Sequence, residues 1–219
     1  MGRASVPKSN LAPRWRRRAQ ARPEEILEAA LAEFVARGFE AARMEDIAKR
    51  AGLSKAAIYL YFPSKVAVLE ALIEAKVGPL AENVKQIAAM GSDDPLNALR
   101  MLAMAAAHRL SDPNLLAVPR LVIGISGRFP EIAKYYREHV VEKARGALES
   151  LIEGAMAKGQ IRRADKKAVV RAFIGPLFFE AMWTHVLLGE TALNEPQKLI
   201  EQQFDVLLYG LEPRACSAS

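Results

Sequence analysis

From Pro23 onward the apolar side chains recur at every third or fourth position. Ile26, Leu27, Ala30, Leu31, Phe34 and Val35 form a stripe along one helix. Pro23 suits the first helical position, Glu24 and Glu25 favour its positive end, and Gly38 is placed to close it in a left-handed turn. Two short helices follow, Met44 to Arg50 and Lys55 to Phe62, around a turn at Gly52. Met44, Ile47, Ala48 and Ala51 face inward on the first and Ile58 on the second. Ser54 is a candidate N-cap, because its hydroxyl oxygen can accept a first-turn amide. Pro63 stops the second helix and Ser64 can cap the next.

Beyond this, Asp94-Pro95, Asp112-Pro113, Phe129-Pro130, Asp165 and Asn194-Glu195-Pro196 each put a cap or a proline at a helical first turn. The pattern predicts helices near 64–90, 94–110, 112–125, 130–158, 165–189 and 195–211. Bends are expected at Gly78-Pro79 and Gly175-Pro176. No period-two alternation predicts a strand, so the fold class is all-α: an N-terminal three-helix head plus a C-terminal helical bundle.

Charge refines this division. The net charge is +6; residues 1–65 hold 13 Lys and Arg against 7 Asp and Glu, whereas residues 66–219 hold 18 of each. An excess confined to one end suits a surface that grips phosphates. Residues 1–21 lack periodicity, and Arg14, Arg16, Arg17 and Arg18 crowd round Trp15, so they read as a basic flexible arm. It serves either to reach a phosphate or minor groove or as plain disordered sequence. The organisation is then arm 1–21, head 22–68, body 69–213 and tail 214–219. The single cysteine, Cys216, excludes an intrachain disulfide. With no long apolar run, a soluble, cytoplasmic protein is expected.

Two helices of about two turns cannot bury enough surface alone, so Met44 to Phe62 must pack on their neighbours. A short helix pair on such a head reads as a helix-turn-helix, with the motif at 43–62. Its second helix enters the major groove. The surface offered there is Ser54, Lys55, Ala56, Ala57 and Leu60.

At this point the chain resembles the TetR/AcrR family of one-component regulators. The residues are Gly38-Phe39-Glu40, Met44-Glu45-Asp46-Ile47-Ala48, Ala51-Gly52-Leu53-Ser54-Lys55 and Ile58-Tyr59-Leu60-Tyr61-Phe62-Pro63-Ser64-Lys65. The run extends from Pro23 to Leu72. The resemblance implies phosphate contacts from Arg43 and Lys65, a recognition helix from Ser54 to Phe62, and paired aromatics at Tyr59 and Tyr61. Arg43 stands where threonine is frequent, Ala56 and Ala57 where glycine and threonine are, and Leu60 where histidine is. Ala57 thereby loses a hydroxyl and Leu60 offers an apolar contact alone, so the operator preference should be unusual. The alternative is a generic hairpin with Ile58, Tyr59 and Phe62 in the core and both lysines solvated.

The resemblance further implies a homodimer through helices near 165–189 and 195–211. Val169, Val170, Phe173, Leu177, Phe178, Ala181, Met182, Val186, Leu199, Phe204, Leu207 and Leu208 would pack the seam together with the protomer core. It also implies a small-molecule effector held in the body, and release of a repressor from double-stranded operator DNA by a shift of the helix beginning near Ser64. Met101, Met104, His108, Arg120, Phe173, Trp183 and His185 could line a largely apolar effector pocket, or could be ordinary packing residues.

Other classes fare worse. Gly124-Ile125-Ser126-Gly127 lacks the spacing and preceding strand of a nucleophile turn. His139 and Glu142 alone do not make a metal site. With no glycine-rich phosphate loop and no cysteine cluster, no catalytic residue, cofactor or metal is expected. A helical interaction module would scatter its basic residues, and the arginine-rich arm lacks the apolar face of a membrane anchor.

Overall fold

The computed structural model describes residues 14–109, 112, 114, 116–189 and 195–211, with side chains between 22 and 208. The tail, Cys216 and the first 13 residues of the expected arm lie outside the described residues. The chain divides into two compact units between Val68 and Leu69. It passes from one to the other within a single helix. Among the described residues there is no strand, and no single helix is long and apolar enough to cross a membrane.

The first unit holds α1 (Arg14–Arg37), α2 (Met44–Arg50), α3 (Lys55–Tyr61) and the start of α4 (Lys65–Lys76). Two expectations for α1 need correction. The helix begins at Arg14 rather than Pro23, so residues 14–21 of the expected arm are helical. Alanine, glutamine and arginine are good helix formers. The proline therefore sits inside the helix, where it forgoes one backbone donor. The inward stripe is also rotated. Ile26, Leu27, Ala29, Ala30, Glu33 and Phe34 are buried, whereas Val35 is exposed. Gly38 (φ +78°) donates to the Phe34 carbonyl at 2.9 Å and closes the helix as expected. Phe39 then folds back on Phe34, with ring centroids 5.2 Å apart.

The second unit contains the rest of α4, then α5 (Gly78–Met90), α6 (Pro95–Arg109), α7 (Ala117–Ile125), α8 (Pro130–Tyr136), α9 (Glu142–Ala157), α10 (Lys166–Met182) and α11 (Pro196–Leu211). The expected helix over 64–90 is two helices. Pro79 occupies the first turn of α5, where its missing N–H costs nothing, so the Gly78-Pro79 pair starts a helix instead of bending one. The expected start at 112 also moves. Asp112 Oδ1 accepts from the Asn114 amide at 2.9 Å, which makes a turn ahead of α7. The expected helices 130–158 and 165–189 each contain a π-helical segment, Arg137–Val141 and Trp183–Leu188. In the first, His139 Nδ1–H donates to the Tyr135 carbonyl at 3.0 Å.

Central α9 packs on α5, α6 and α10, and α11 packs on α6 and α10. Leu99, Leu102, Leu151, Ile152, Phe173 and Phe204 are among the buried side chains of this core. Phe173 meets Phe204 edge-on at 6.1 Å. Asp165 caps α10 by accepting from the Ala168 amide at 2.8 Å, and Asp94 does the same for α6 through Asn97 at 3.2 Å.

Candidate nucleic-acid interface

The α2–α3 pair is set by its turn. Ala51 ends α2, and Gly52 adopts φ +66°, a conformation that side-chain-bearing residues rarely take. The Gly52 amide donates to the Lys49 carbonyl at 3.2 Å and the Leu53 amide to the Ala48 carbonyl at 2.8 Å. These two bonds satisfy the carbonyls left open at the end of α2. Ser54 then starts α3, its Oγ accepting from the Ala57 amide at 3.2 Å. Ile58 anchors α3 inward. Around the rest of the helix, Lys55, Ala56, Tyr59, Leu60 and Tyr61 are exposed and Ala57 is half-buried.

Two basic residues flank this surface. Arg43 is exposed at the N-cap position of α2, with its carbonyl accepting from the Asp46 and Ile47 amides. Lys55 Nζ pairs with Glu45 Oε1 at 2.6 Å, with both side chains in water. The hydrogen bond holds the Glu45 carboxyl below and the Lys55 ammonium above their ordinary pKa values. Such an exposed pair is screened and weak, so Lys55 can exchange its partner for a phosphate.

Lys65, for which the resemblance implies a phosphate contact, turns its ammonium onto protein carbonyls. Its ammonium donates to the carbonyls of Phe39 (2.6 Å), Glu40 (2.9 Å) and Ala42 (3.2 Å), and lies 4.7 Å above the Phe39 ring. All three donors are spent on the α1–α2 loop. Burial lowers its pKa. In this arrangement Lys65 clasps the loop that delivers Arg43. Lys65→Met is therefore expected to raise amide exchange at residues 39–42 and to leave the salt dependence of DNA affinity unchanged. A log–log slope shallower by about 0.9 would return Lys65 to the phosphate.

A second clasp went unforeseen. Glu33 is only 3% exposed. Its Oε1 accepts from Arg50 Nε at 2.8 Å, while Arg37 Nε stands 3.2 Å from Oε2 as an ion pair without hydrogen-bond geometry. Arg37 also reaches Asp46 at 3.3 Å. These bonds tie the end of α1 to both ends of α2. The available signal was a glutamate three and four residues after Ala30 and Ala29, on the inward side.

Residues 26–72 match the bacterial regulatory proteins of the tetR family, and residues 97–208 match the C-terminal domain of AefR-like transcriptional repressors. The second match alone covers half of the chain. The protein belongs to the TetR family. It is a DNA-binding transcriptional regulator. It is similar to the HTH-type transcriptional activator FasR of Mycolicibacterium smegmatis, 40% identical over 79 residues. That match covers 36% of this chain and spans about a third (34%) of FasR. Similarity to the HTH-type regulator YdgC of Bacillus subtilis is 24% over 193 residues, covering 86% and 92% of the two chains. The structure of the flavonoid-responsive regulator FrrA superimposes with a TM-score of 0.61 at 28% identity, covering 90% of this chain and all of that one (100%).

In this TetR-family regulator the body presents an uncovered apolar face. Ala168, Ala172, Pro176, Phe179 and Trp183 recur along one side of α10 and its π-helical extension, and all are exposed. Phe179 and Trp183 stack at 5.9 Å. Beside them runs an open groove of about 620 Å³ between α10 and α11, lined by Ala168, Ala172, Pro176, Leu199, Val206 and neighbours. Of the residues expected to pack the seam together with the protomer core, Val169, Val170, Phe173, Ala181 and Phe204 belong to the protomer core. Leu177, Met182, Val186, Leu199, Leu207 and Leu208 are half-buried against it, and Phe178 is exposed.

The seven candidate pocket residues do not enclose a cavity together. Helix α6 turns Leu99, Leu102 and Ala103 inward, which leaves Met101, Met104 and His108 exposed; Arg120 on α7 is exposed too. Trp183 lies on the open face and His185 is half-buried. Phe173 alone is buried, and it borders a small cavity of about 20 Å³ with Ala103, Leu177, Ile200 and Phe204. That volume holds about one water molecule, too little for an effector.

Proposed function

We propose that this regulator is a homodimeric repressor that leaves a two-fold operator when a small, largely apolar effector binds its second unit. The observation that carries the reading is the α2–α3 pair. A capped recognition helix is anchored by one buried residue, with Lys55, Ala56, Tyr59, Leu60 and Tyr61 turned outward and Arg43 beside it. In the proposed complex Ser54, Lys55, Ala56, Ala57 and Leu60 face the major groove, while Arg43, Tyr59 and Tyr61 meet the backbone.

Repression is favoured by the AefR-like repressor match over residues 97–208, and response to a small molecule by the likeness to flavonoid-responsive FrrA. Homodimerisation is favoured by the apolar face of α10 and α11, because such a patch is costly to leave in water. It also suits an operator of two half-sites.

The test is affinity of the purified protein for DNA upstream of its own coding region, and for duplexes selected from a random library, against scrambled duplex across a salt series. Sequence-dependent binding with a steep salt slope is expected, together with release by apolar small molecules. Equal affinity for every duplex would overturn the reading.

A further inference from the structure

The outermost ridge of α3 holds no hydrogen-bonding group. At 3.6 residues per turn, Ala56 and Leu60 lie one turn apart, each about 160° round the axis from Ile58. Ile58 is fully buried (0% exposed), whereas Leu60 is 86% exposed, the most open of the large apolar side chains described. The groups of α3 able to hydrogen-bond a base edge stand off that ridge, with Lys55 and Tyr59 on one flank and Tyr61 on the other. Lys55 is already turned toward Glu45.

In the major groove every base-pair edge presents donors and acceptors, and the apolar feature among them is the C5-methyl group of thymine. An apolar ridge pressed against a guanine or a cytosine edge would strip water from polar atoms and return nothing. A leucine against a methyl buries both. Ala56, one turn earlier, is small enough to let the helix approach that closely.

We infer that Leu60 is a specificity-determining residue that reads the C5-methyl of a thymine in each operator half-site. This rests on the proposed entry of α3 into the major groove. Base choice at that step is thus made by methyl burial, with no hydrogen bond from the ridge.

Deoxyuridine differs from thymidine by that methyl alone, which gives the experiment. An operator is selected from random duplexes with the full-length protein, and each thymine is then replaced singly by deoxyuridine and binding measured by fluorescence anisotropy. At one position per half-site the replacement is expected to weaken binding about 4-fold, the worth of one buried methyl, and about 15-fold when both half-sites are changed. Leu60→Ala keeps its helix, because the site is exposed and alanine is the best helix former. It is expected to bind the two duplexes equally. With cytosine placed at that step, 5-methylcytosine is expected to restore affinity to the wild type but not to Leu60→Ala. A selected site indifferent to every thymine methyl, or a Leu60→Ala protein with undiminished methyl dependence, overturns the inference alone. Failure to select any sequence overturns the DNA-binding reading and the inference with it.

Discussion

Ala172→Glu is expected to yield a folded protein that sediments as a monomer and binds operator about 100-fold more weakly or worse. Ala172 is exposed and lines the groove between α10 and α11, so the protomer has room for the longer side chain. In a dimer built on this face the glutamate would be sealed among Ala168, Pro176 and Val206, with Arg162 also lining the groove, and taking a charge out of water there costs several kcal/mol. Symmetry doubles the cost. Loss of the dimer turns one two-site encounter into two independent ones, and the second half-site no longer benefits from a high local concentration. Circular dichroism establishes folding, sedimentation reports assembly and anisotropy reports affinity. A dimer that survives the substitution would move the interface away from α10 and α11.

The second large effect belongs to Glu33. Removing both of its partners, in Arg37→Ala/Arg50→Ala, leaves a carboxylate that is 3% exposed with no cation beside it. Breaking a buried pair from that side costs about 3–5 kcal/mol, comparable with the whole stability of a small helical unit. Adding Glu33→Met removes the stranded charge while filling its volume, and is expected to recover most of the loss. The two arginines are about half exposed (55% and 48%) and can return to water, so Glu33→Met alone should cost far less than the double change. Amide exchange in α2 and α3 reads the opening of this unit separately from the second. Equal protection in the parent and the double variant would show that the ion pairs do not hold α2.

What the sequence made legible follows from chemistry that is local. Gly52, Ser54, Pro63 and Ser64 each act within one turn, and the helix pair with its caps stands where they put it, the Ala67 amide reaching Ser64 Oγ at 3.1 Å. The continuous motif around Ile58 carried the family and the all-α fold with it. Less legible were features whose partners lie far along the chain. Lys65 grips carbonyls 23 to 26 residues away, and Glu33 meets an arginine 17 residues on. A lysine in a basic segment invites assignment to a phosphate, and the carbonyls it grips have no signature in the sequence. The expected stripe of α1 includes Val35, which is exposed, and omits Glu33, whose burial rests on the two arginines paired with it. On α10 apolar side chains run nearly all round the helix, so periodicity could not separate residues turned to the protomer core from those turned outward. Phe173 and Phe179 look alike by composition and differ in their environment.

In the proposed complex the ridge of α3 separates reading from folding. Ile58 faces the core, while Ala56 and Leu60 face away from it, so substitutions at 56 and 60 should shift stability by no more than about 0.5 kcal/mol. A duplicated copy of this gene could therefore acquire a new operator in one or two steps, each intermediate remaining a sound protein. Descent with new targets would leave its record at positions 56 and 60, against an unchanging Glu33, Gly52, Ile58 and Lys65.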